Sequence, residues 1–269
     1  MKIILNKKRL LKIIQNEKNL GFVPTMGSIH KAHISLIKKS ISECNKTIVT
    51  IFVNRPQFDK TQDFNRYPRN LKRDISLLKK VKIDFLYLPS NKQIYKNKIK
   101  PKIEIDNFSK KLCGKTRPGH FKAVVNVIDK FLKIIKPKKI YLGKKDFQQF
   151  KLIQKYIKKN NIKTKVVGCK IIREKNGLAY SSRNDLLTKS EKKIASKIYR
   201  YLRNKKKYVL TNKINLQIMK NEILGMGANS VDYLEFLNIN KLIKPYKLKK
   251  IYKFFIAYYL GKTRLIDNI

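Results

Sequence analysis

Acidic residues are few in this chain: 17 Asp and Glu stand against 65 Lys and Arg in 269 residues, a formal net charge of +48. Tryptophan is absent, and cysteine is limited to Cys44, Cys113 and Cys169. An odd number without Cys-x-x-Cys spacing excludes a disulfide framework or a cysteine-based zinc site as the organising device, and it fits a reducing, cytoplasmic setting. Long apolar runs are missing too. Phe254 to Gly261, the longest uncharged stretch near the end, falls far short of the ~20 residues that span a bilayer, so no membrane partner is expected. Met1 to Leu20 is interrupted by lysines and lacks an apolar h-region, so it is not a secretory signal; its basic character also suits a presequence, but a first strand and helix is the favoured reading. No internal repeat or low-complexity linker divides the chain.

What is present suffices for a core. Hydrophobic residues make up 42%, and a chain of this length buries about three quarters of its unfolded surface without metal or disulfide. The basic excess invites a nucleic-acid reading. Its distribution favours a plainer one, because lysines are interleaved with apolar residues in every segment and not gathered into a patch or tail. Lysine, isoleucine and asparagine can all be encoded by A and T alone, so base composition produces the same bias. No specific nucleic-acid partner is expected.

Short β-branched or aromatic runs recur at Phe22–Val23, Thr47–Val53, Ile83–Leu88, Lys139–Leu142 and Lys165–Val167. Between them, His33, Leu36, Ile37, Ser40 and Ile41 share one face at helical spacing, as do Val124, Val125, Ile128, Phe131, Leu132 and Ile135. Strands alternating with helices predict an α/β fold, a Rossmann-like parallel sheet with helices on both faces, which binds ligands in the loops beyond the carboxyl ends of its strands. After Thr188 the pattern changes: a lysine-rich helix from Lys189 to about Tyr208, a second near Ile214–Leu224, and strand-like runs at Val231–Leu237 and Ile251–Tyr259. These predict a smaller α+β C-terminal domain, giving domains at 1–186 and 187–269.

The loops carry the chemistry. Pro24-Thr25-Met26-Gly27-Ser28-Ile29-His30-Lys31-Ala32-His33 is a glycine turn delivering backbone N–H groups and a helix N-terminus, a natural phosphate cradle; its two histidines can donate to phosphate or simply cap and pack. Asn54 and Gln57 are amides where a strand leaves the sheet, suited to a hydroxy acid, although turn chemistry explains Asn54 equally well. Lys115–Phe121 enters the long helix. Gly143-Lys144-Lys145-Asp146-Phe147-Gln148-Gln149 puts a lysine within reach of a phosphate, with Asp146 at an N-cap position. Tyr180-Ser181-Ser182-Arg183-Asn184 adds two hydroxyls and a guanidinium.

Taken together, Val23-Pro24-Thr25-Met26-Gly27, Ile51-Phe52-Val53-Asn54, Arg66-Tyr67-Pro68-Arg69, Arg117-Pro118-Gly119-His120-Phe121, Lys145-Asp146-Phe147-Gln148-Gln149, Ser181-Ser182-Arg183-Asn184 and Thr263-Arg264-Leu265-Ile266-Asp267-Asn268 resemble the pantothenate synthetase (pantoate beta-alanine ligase) family of the nucleotidylyltransferase superfamily. The resemblance implies that ATP and pantoate form pantoyl adenylate and pyrophosphate, that beta-alanine then displaces AMP, and that the enzyme is a homodimer. It further implies that Met26, Gly27, Ser28, Ile29, His30, Lys31, Ala32 and His33 cradle ATP with His33 as proton donor, that Gly143, Lys144, Lys145, Asp146, Ile172, Tyr180, Ser181, Ser182 and Arg183 line the nucleotide site, and that Gln57 and Gln149 hold pantoate. His30, His33, Lys145 and Arg183 are the catalytic candidates, Asn54 a further substrate contact, and Asp74 the candidate ligand for Mg2+. Four positions depart from the family pattern: Ala32 replaces the glycine of His-x-Gly-His, Arg55 precedes Pro56, Lys144 stands for a glutamate, and Arg73 precedes Asp74. Rival readings are another nucleotidylyltransferase, such as a cytidylyl or pantetheine-phosphate adenylyl enzyme, and a nonenzymatic RNA-binding protein.

If the charge is compositional, the protein binds RNA at low salt without sequence preference. Between ~50 and ~200 mM salt, an interaction with about six phosphates then loses roughly three orders of magnitude in affinity. Filter binding across that range measures it, and tight sequence-selective binding at physiological salt would sink the compositional account.

Overall fold

The computed structural model describes residues 1–95, 103–209, 215–239 and 252–269. Among them, six parallel strands form one sheet: β1 (Lys2–Ile4), β2 (Leu20–Thr25), β3 (Lys46–Ile51), β4 (Phe85–Tyr87), β5 (Lys139–Gly143) and β6 (Lys165–Cys169), in the order β1-β4-β3-β2-β5-β6. Each predicted run overlaps one of these strands, although Thr47–Val53 runs past the end of β3 and Ile83–Leu88 past both ends of β4. The helices are α1 (Lys7–Ile14), α2 (Lys31–Glu43), α3 (Thr61–Arg66), α4 (Leu71–Lys80), α5 (Asn91–Ile94), α6 (Cys113–Thr116), α7 (His120–Ile135) and α8 (Phe147–Lys159), followed by α9 (Lys189–Val209) and α10 (Leu216–Gly225).

Successive strand residues point to opposite faces, and here both faces are covered. Phe22, Ile48, Phe85 and Ile140 meet α1, α7 and α8 in one core. Their neighbours Val23, Val49, Leu86 and Tyr141 meet Leu36, Ile37 and Leu78 from α2 and α4 in another. The α7 face read from the sequence is buried in full. On α2 the inward face is narrower than its spacing suggests, because Ile41 is turned outward and 39% exposed.

The remaining strands, β7 (Ser230–Asn238), β8 (Tyr252–Leu260) and β9 (Thr263–Asn268), form an antiparallel sheet in the order β7-β8-β9. Ile214 and Ile251, where two predicted elements begin, lie outside the described residues. Strand β9 is not among the predicted strands: Thr263 to Asn268 mixes polar and apolar residues without the apolar density of β8, and what places it is the tight Gly261–Lys262 hairpin, with Gly261 at φ 52°. Helix α9 starts where a reciprocal cap sits. Glu191 N–H donates to Thr188 Oγ1 at 3.2 Å and Thr188 N–H donates to Glu191 Oε2 at 2.7 Å. One face of the small sheet packs with α9 and α10 around Leu202, Met219, Ile223 and Phe254. Leu237 and Phe255 join the core of the parallel sheet, so the antiparallel sheet forms a wall beside it.

Residues 108–113, ahead of α7, are held by a glutamine. Gln148, 5% exposed, donates from Nε2 to the carbonyls of Phe108 (2.7 Å) and Lys111 (2.6 Å) and accepts from Cys113 N–H at 3.1 Å. Gln148→Ala leaves buried backbone groups without partners and is expected to lower the unfolding free energy by about 3 kcal/mol. Denaturant titration measures this, and a loss under about 0.5 kcal/mol would show that water replaces the amide.

Candidate active site

Strands β2 and β5 are neighbours, yet the chain leaves them in opposite directions, toward β3 and β4 on one side and β6 on the other. The loops after them part and leave a crevice, the usual ligand position in an open α/β sheet. A cavity of about 550 Å³ opens there, with the antiparallel sheet as one wall through residues such as Tyr233, Phe255 and Ile266.

The loop after β2 is fixed from below. Gly27 lies at φ 82° and Ser28 at φ 50°, left-handed conformations that suit glycine and are unusual for serine. Asp74 on α4, 1% exposed, holds them: its two carboxylate oxygens accept from Ser28 N–H at 2.8 Å and Ile29 N–H at 2.7 Å. Burial raises the pKa of Asp74, while the two N–H bonds act against that rise. Asp74 does not line the cavity, and each of its oxygens accepts one backbone N–H of the loop. The N–H groups of Ser28 and Ile29 are thereby committed, so they are not open to a phosphate. The donors left over are at the N-terminus of α2, where His30 is the capping residue and makes no side-chain capping bond.

His30 and His33 stack with ring centroids 3.9 Å apart and planes 15° from parallel. Neither Nδ1 has a hydrogen-bond partner, although both are buried. Burial, followed by the Lys145 cation, lowers the pKa of His30 to about 4. Burial, then His30, then Lys145 push that of His33 well below its ordinary value. Both rings are therefore neutral near pH 7, with capacity for hydrogen bonds unused.

Met26, His30, Ala32, His33, Asn54, Gln57, Gly143, Lys145, Asp146, Gln149, Ile172, Tyr180, Ser181, Ser182 and Arg183 all line the cavity. Gly27, Ser28, Ile29, Lys31 and Lys144 do not. Asn54 is occupied by the protein: it accepts from Tyr95 OH at 2.6 Å and donates to Gln57 Oε1 at 3.1 Å. Gln57 also donates to Met26 Sδ at 2.9 Å. Arg183 is held by Asp63 through bonds of 3.2 and 2.7 Å.

His120 and Arg117 went unassigned from the sequence. Both reach the Gln57 carbonyl, His120 Nδ1 at 2.6 Å and Arg117 at 3.0 Å, and Arg117 also pairs with Asp59 at 2.8 Å. Burial, then Arg117, lowers the pKa of His120 to about 4. The signal available was the scarcity of histidine, three in the chain. Asp63 offered no local signal, because its partner lies 120 residues further along.

The fold and site define an open α/β protein whose switch-point crevice is lined by neutral imidazoles, amides and basic side chains, Lys145 among them. The profile of the pantoate-beta-alanine ligase family matches residues 2–269. A pantothenate synthetase of Thermosipho africanus is 38% identical over 266 residues, covering 98% of this chain and 96% of that protein. One from Francisella tularensis subsp. mediasiatica is 43% identical over 256 residues, covering 94% and 89%. Among solved structures, the pantothenate synthetase of Thermus thermophilus matches with TM-score 0.91 and 28% identity, over 100% of this chain and 99% of that one. The pantoate-beta-alanine ligase of Francisella tularensis, complexed with beta-gamma ATP and beta-alanine, matches with TM-score 0.85 and 40% identity, over 100% and 97%. The chain belongs to the pantoate-beta-alanine ligase family.

Because each folded imidazole binds a proton more weakly than its unfolded counterpart, stability is complete above about pH 6.5 and declines as pH falls toward 4, by at most about 1.4 kcal/mol per pH unit for each histidine. Nuclear magnetic resonance of the three imidazoles should show no titration between about pH 7.5 and 5. A midpoint near 6.5 for His30 or His33 would mean that the pair is solvated.

Proposed function

We propose that this chain catalyses the ATP-dependent ligation of pantoate to beta-alanine through a pantoyl-adenylate intermediate. The observation that carries the proposal is the pair of stacked, neutral histidines whose Nδ1 atoms lack partners, set at the β2/β5 crevice that Lys145 also lines. A buried polar atom without a partner is costly, and a bound phosphate supplies the missing one.

In the first step a pantoate carboxylate oxygen attacks the α-phosphorus. The acyl–phosphate bond forms, the α–β phosphoanhydride bond breaks, and pyrophosphate leaves with the bonding pair. The N-terminus of α2 and Lys145 face the negative charge that develops on the phosphates. His33 serves as a neutral N–H donor, since burial keeps it from carrying a second proton until phosphate charge arrives. Arg183 contributes once the phosphates compete with Asp63 for its guanidinium. In the second step the unprotonated amine of beta-alanine attacks the acyl carbon, the carbon–nitrogen bond forms, AMP leaves, and the amine gives up a proton.

Gln57 and Gln149 orient pantoate, and Asn54 acts through Gln57 because its own amide is occupied. Among the described residues no three His, Cys, Asp or Glu side chains come together, and Asp74 does not line the cavity. Mg2+ would be held mainly by the substrate phosphates with few protein ligands, and would neutralise charge there. Residues 187–269 form the lid, two copies form a homodimer, and the three free thiols match a cytoplasmic location. Among the described residues no helix is long and apolar enough to cross a membrane.

Exchange of labelled pyrophosphate into ATP, run with pantoate and without beta-alanine, tests the reading. Exchange is expected, with kcat about 10²-fold lower in Lys145→Ala or His33→Ala and with Gln149→Ala weakening pantoate much more than ATP. Exchange supported by another acid but not by pantoate would overturn the substrate assignment.

A further inference from the structure

The segment Thr263–Asn268 belongs to the motifs that carry the family resemblance, yet the reaction above gives it nothing to do. Its Asn268 is 1% exposed and lies at the end of β9, opposite Phe255 on β8. The next residue, Ile269, exchanges both N–H and C=O with Phe254 at 3.0 Å. The backbone there is held, and the side chain reaches across to the parallel sheet. Nδ2 donates to the carbonyls of Lys144 at 2.9 Å and Lys145 at 2.8 Å. Oδ1 accepts from Lys253 Nζ at 2.8 Å. The amide can sit in one orientation only, since the flipped form turns oxygen toward two carbonyls and NH2 toward an ammonium.

We propose that Asn268 is a positioning residue for Lys145: by holding two successive carbonyls of the turn after β5, it sets the direction in which the lysine enters the crevice. The turn needs an external brace, because Asp146, which ends it and precedes α8, makes no side-chain capping bond. The strand that carries the brace is anchored in turn. Asp267 accepts from Arg173 at 2.6 and 2.9 Å, Arg173 also donates to the Asn268 carbonyl at 3.3 Å, and its guanidinium lies 4.2 Å from the Tyr199 ring centre. Arg173 directly follows Ile172, a crevice residue beyond β6. The end of β9 thus ties the loops after β5 and β6 to the antiparallel sheet, and the geometry of the phosphate contact depends on that sheet being seated.

The proposal rests on the reading that Lys145 meets the phosphates, and a double-mutant cycle separates the two. Pyrophosphate exchange is measured for the intact chain, Asn268→Ala, Lys145→Ala and the double variant, with Asn268→Asp as the isosteric control. Asn268→Ala is expected to lower kcat by about tenfold or more, as for a lysine displaced by a fraction of an ångström, with the KM for pantoate within about twofold. In the Lys145→Ala background the same substitution should cost less than about twofold. Asn268→Asp should lose at least as much, because Lys253 keeps the new carboxylate ionised against two carbonyls. Equal losses in both backgrounds, or full activity in a folded Asn268→Asp, would overturn the positioning role while leaving Lys145 in place. Full activity in Lys145→Ala would remove the reading and the proposal together. A loss confined to thermal stability, with kcat per folded molecule unchanged, would reduce Asn268 to a structural contact.

Discussion

The crevice exists because β2 and β5 are buried on both faces and cannot tilt apart. Phe22 and Ile140 face one layer of helices, Val23 and Tyr141 the other, so the two strands stay locked side by side while the chain departs from them in opposite directions. Everything chemical follows from that parting. The loop after β2 brings the histidine pair, the loop after β5 brings the lysine, and the space between them needs no dedicated scaffold.

What the sheet leaves loose, buried polar contacts from distant parts of the chain make rigid. Asp74 fixes the first loop, His120 and Arg117 grip the carbonyl of Gln57, and Asn268 grips the turn carrying Lys145. Asp74 and Asn268 act from outside the cavity, whereas His120 and Arg117 line it themselves. The neutral state of the histidines belongs to the same arrangement, since burial and the nearby lysine cation both favour the uncharged ring.

The parallel strands and the helices of the main cores were legible because their apolar periodicity is local. Strand β9 was not, for its place is set by a hairpin and by pairing with β8. The cavity-lining loops were legible as well, from glycine turns, paired histidines and neighbouring amides. Individual roles were harder. Asp74 is a metal candidate through the family resemblance alone, and nothing near it in the sequence announces that its oxygens meet two N–H groups on a loop about 45 residues earlier. The neighbours Gln148 and Gln149 both line the cavity, and only the first also bonds the Phe108 and Lys111 carbonyls. Such contacts join segments far apart in the chain, and no short motif encodes them.

Several of the few acids are spent inside the molecule: Asp74 under the loop, Asp63 on Arg183, and Asp267 on Arg173. Among the described residues most lysines consequently have no carboxylate neighbour, and a net charge of +48 is folded into a volume much smaller than that of the open chain. The native state carries the denser positive field and so holds more solution anions in its ionic atmosphere than the unfolded state does. For this protein the surrounding electrolyte is in effect a component of the folded structure, and its compactness is set partly by ions that have no fixed site.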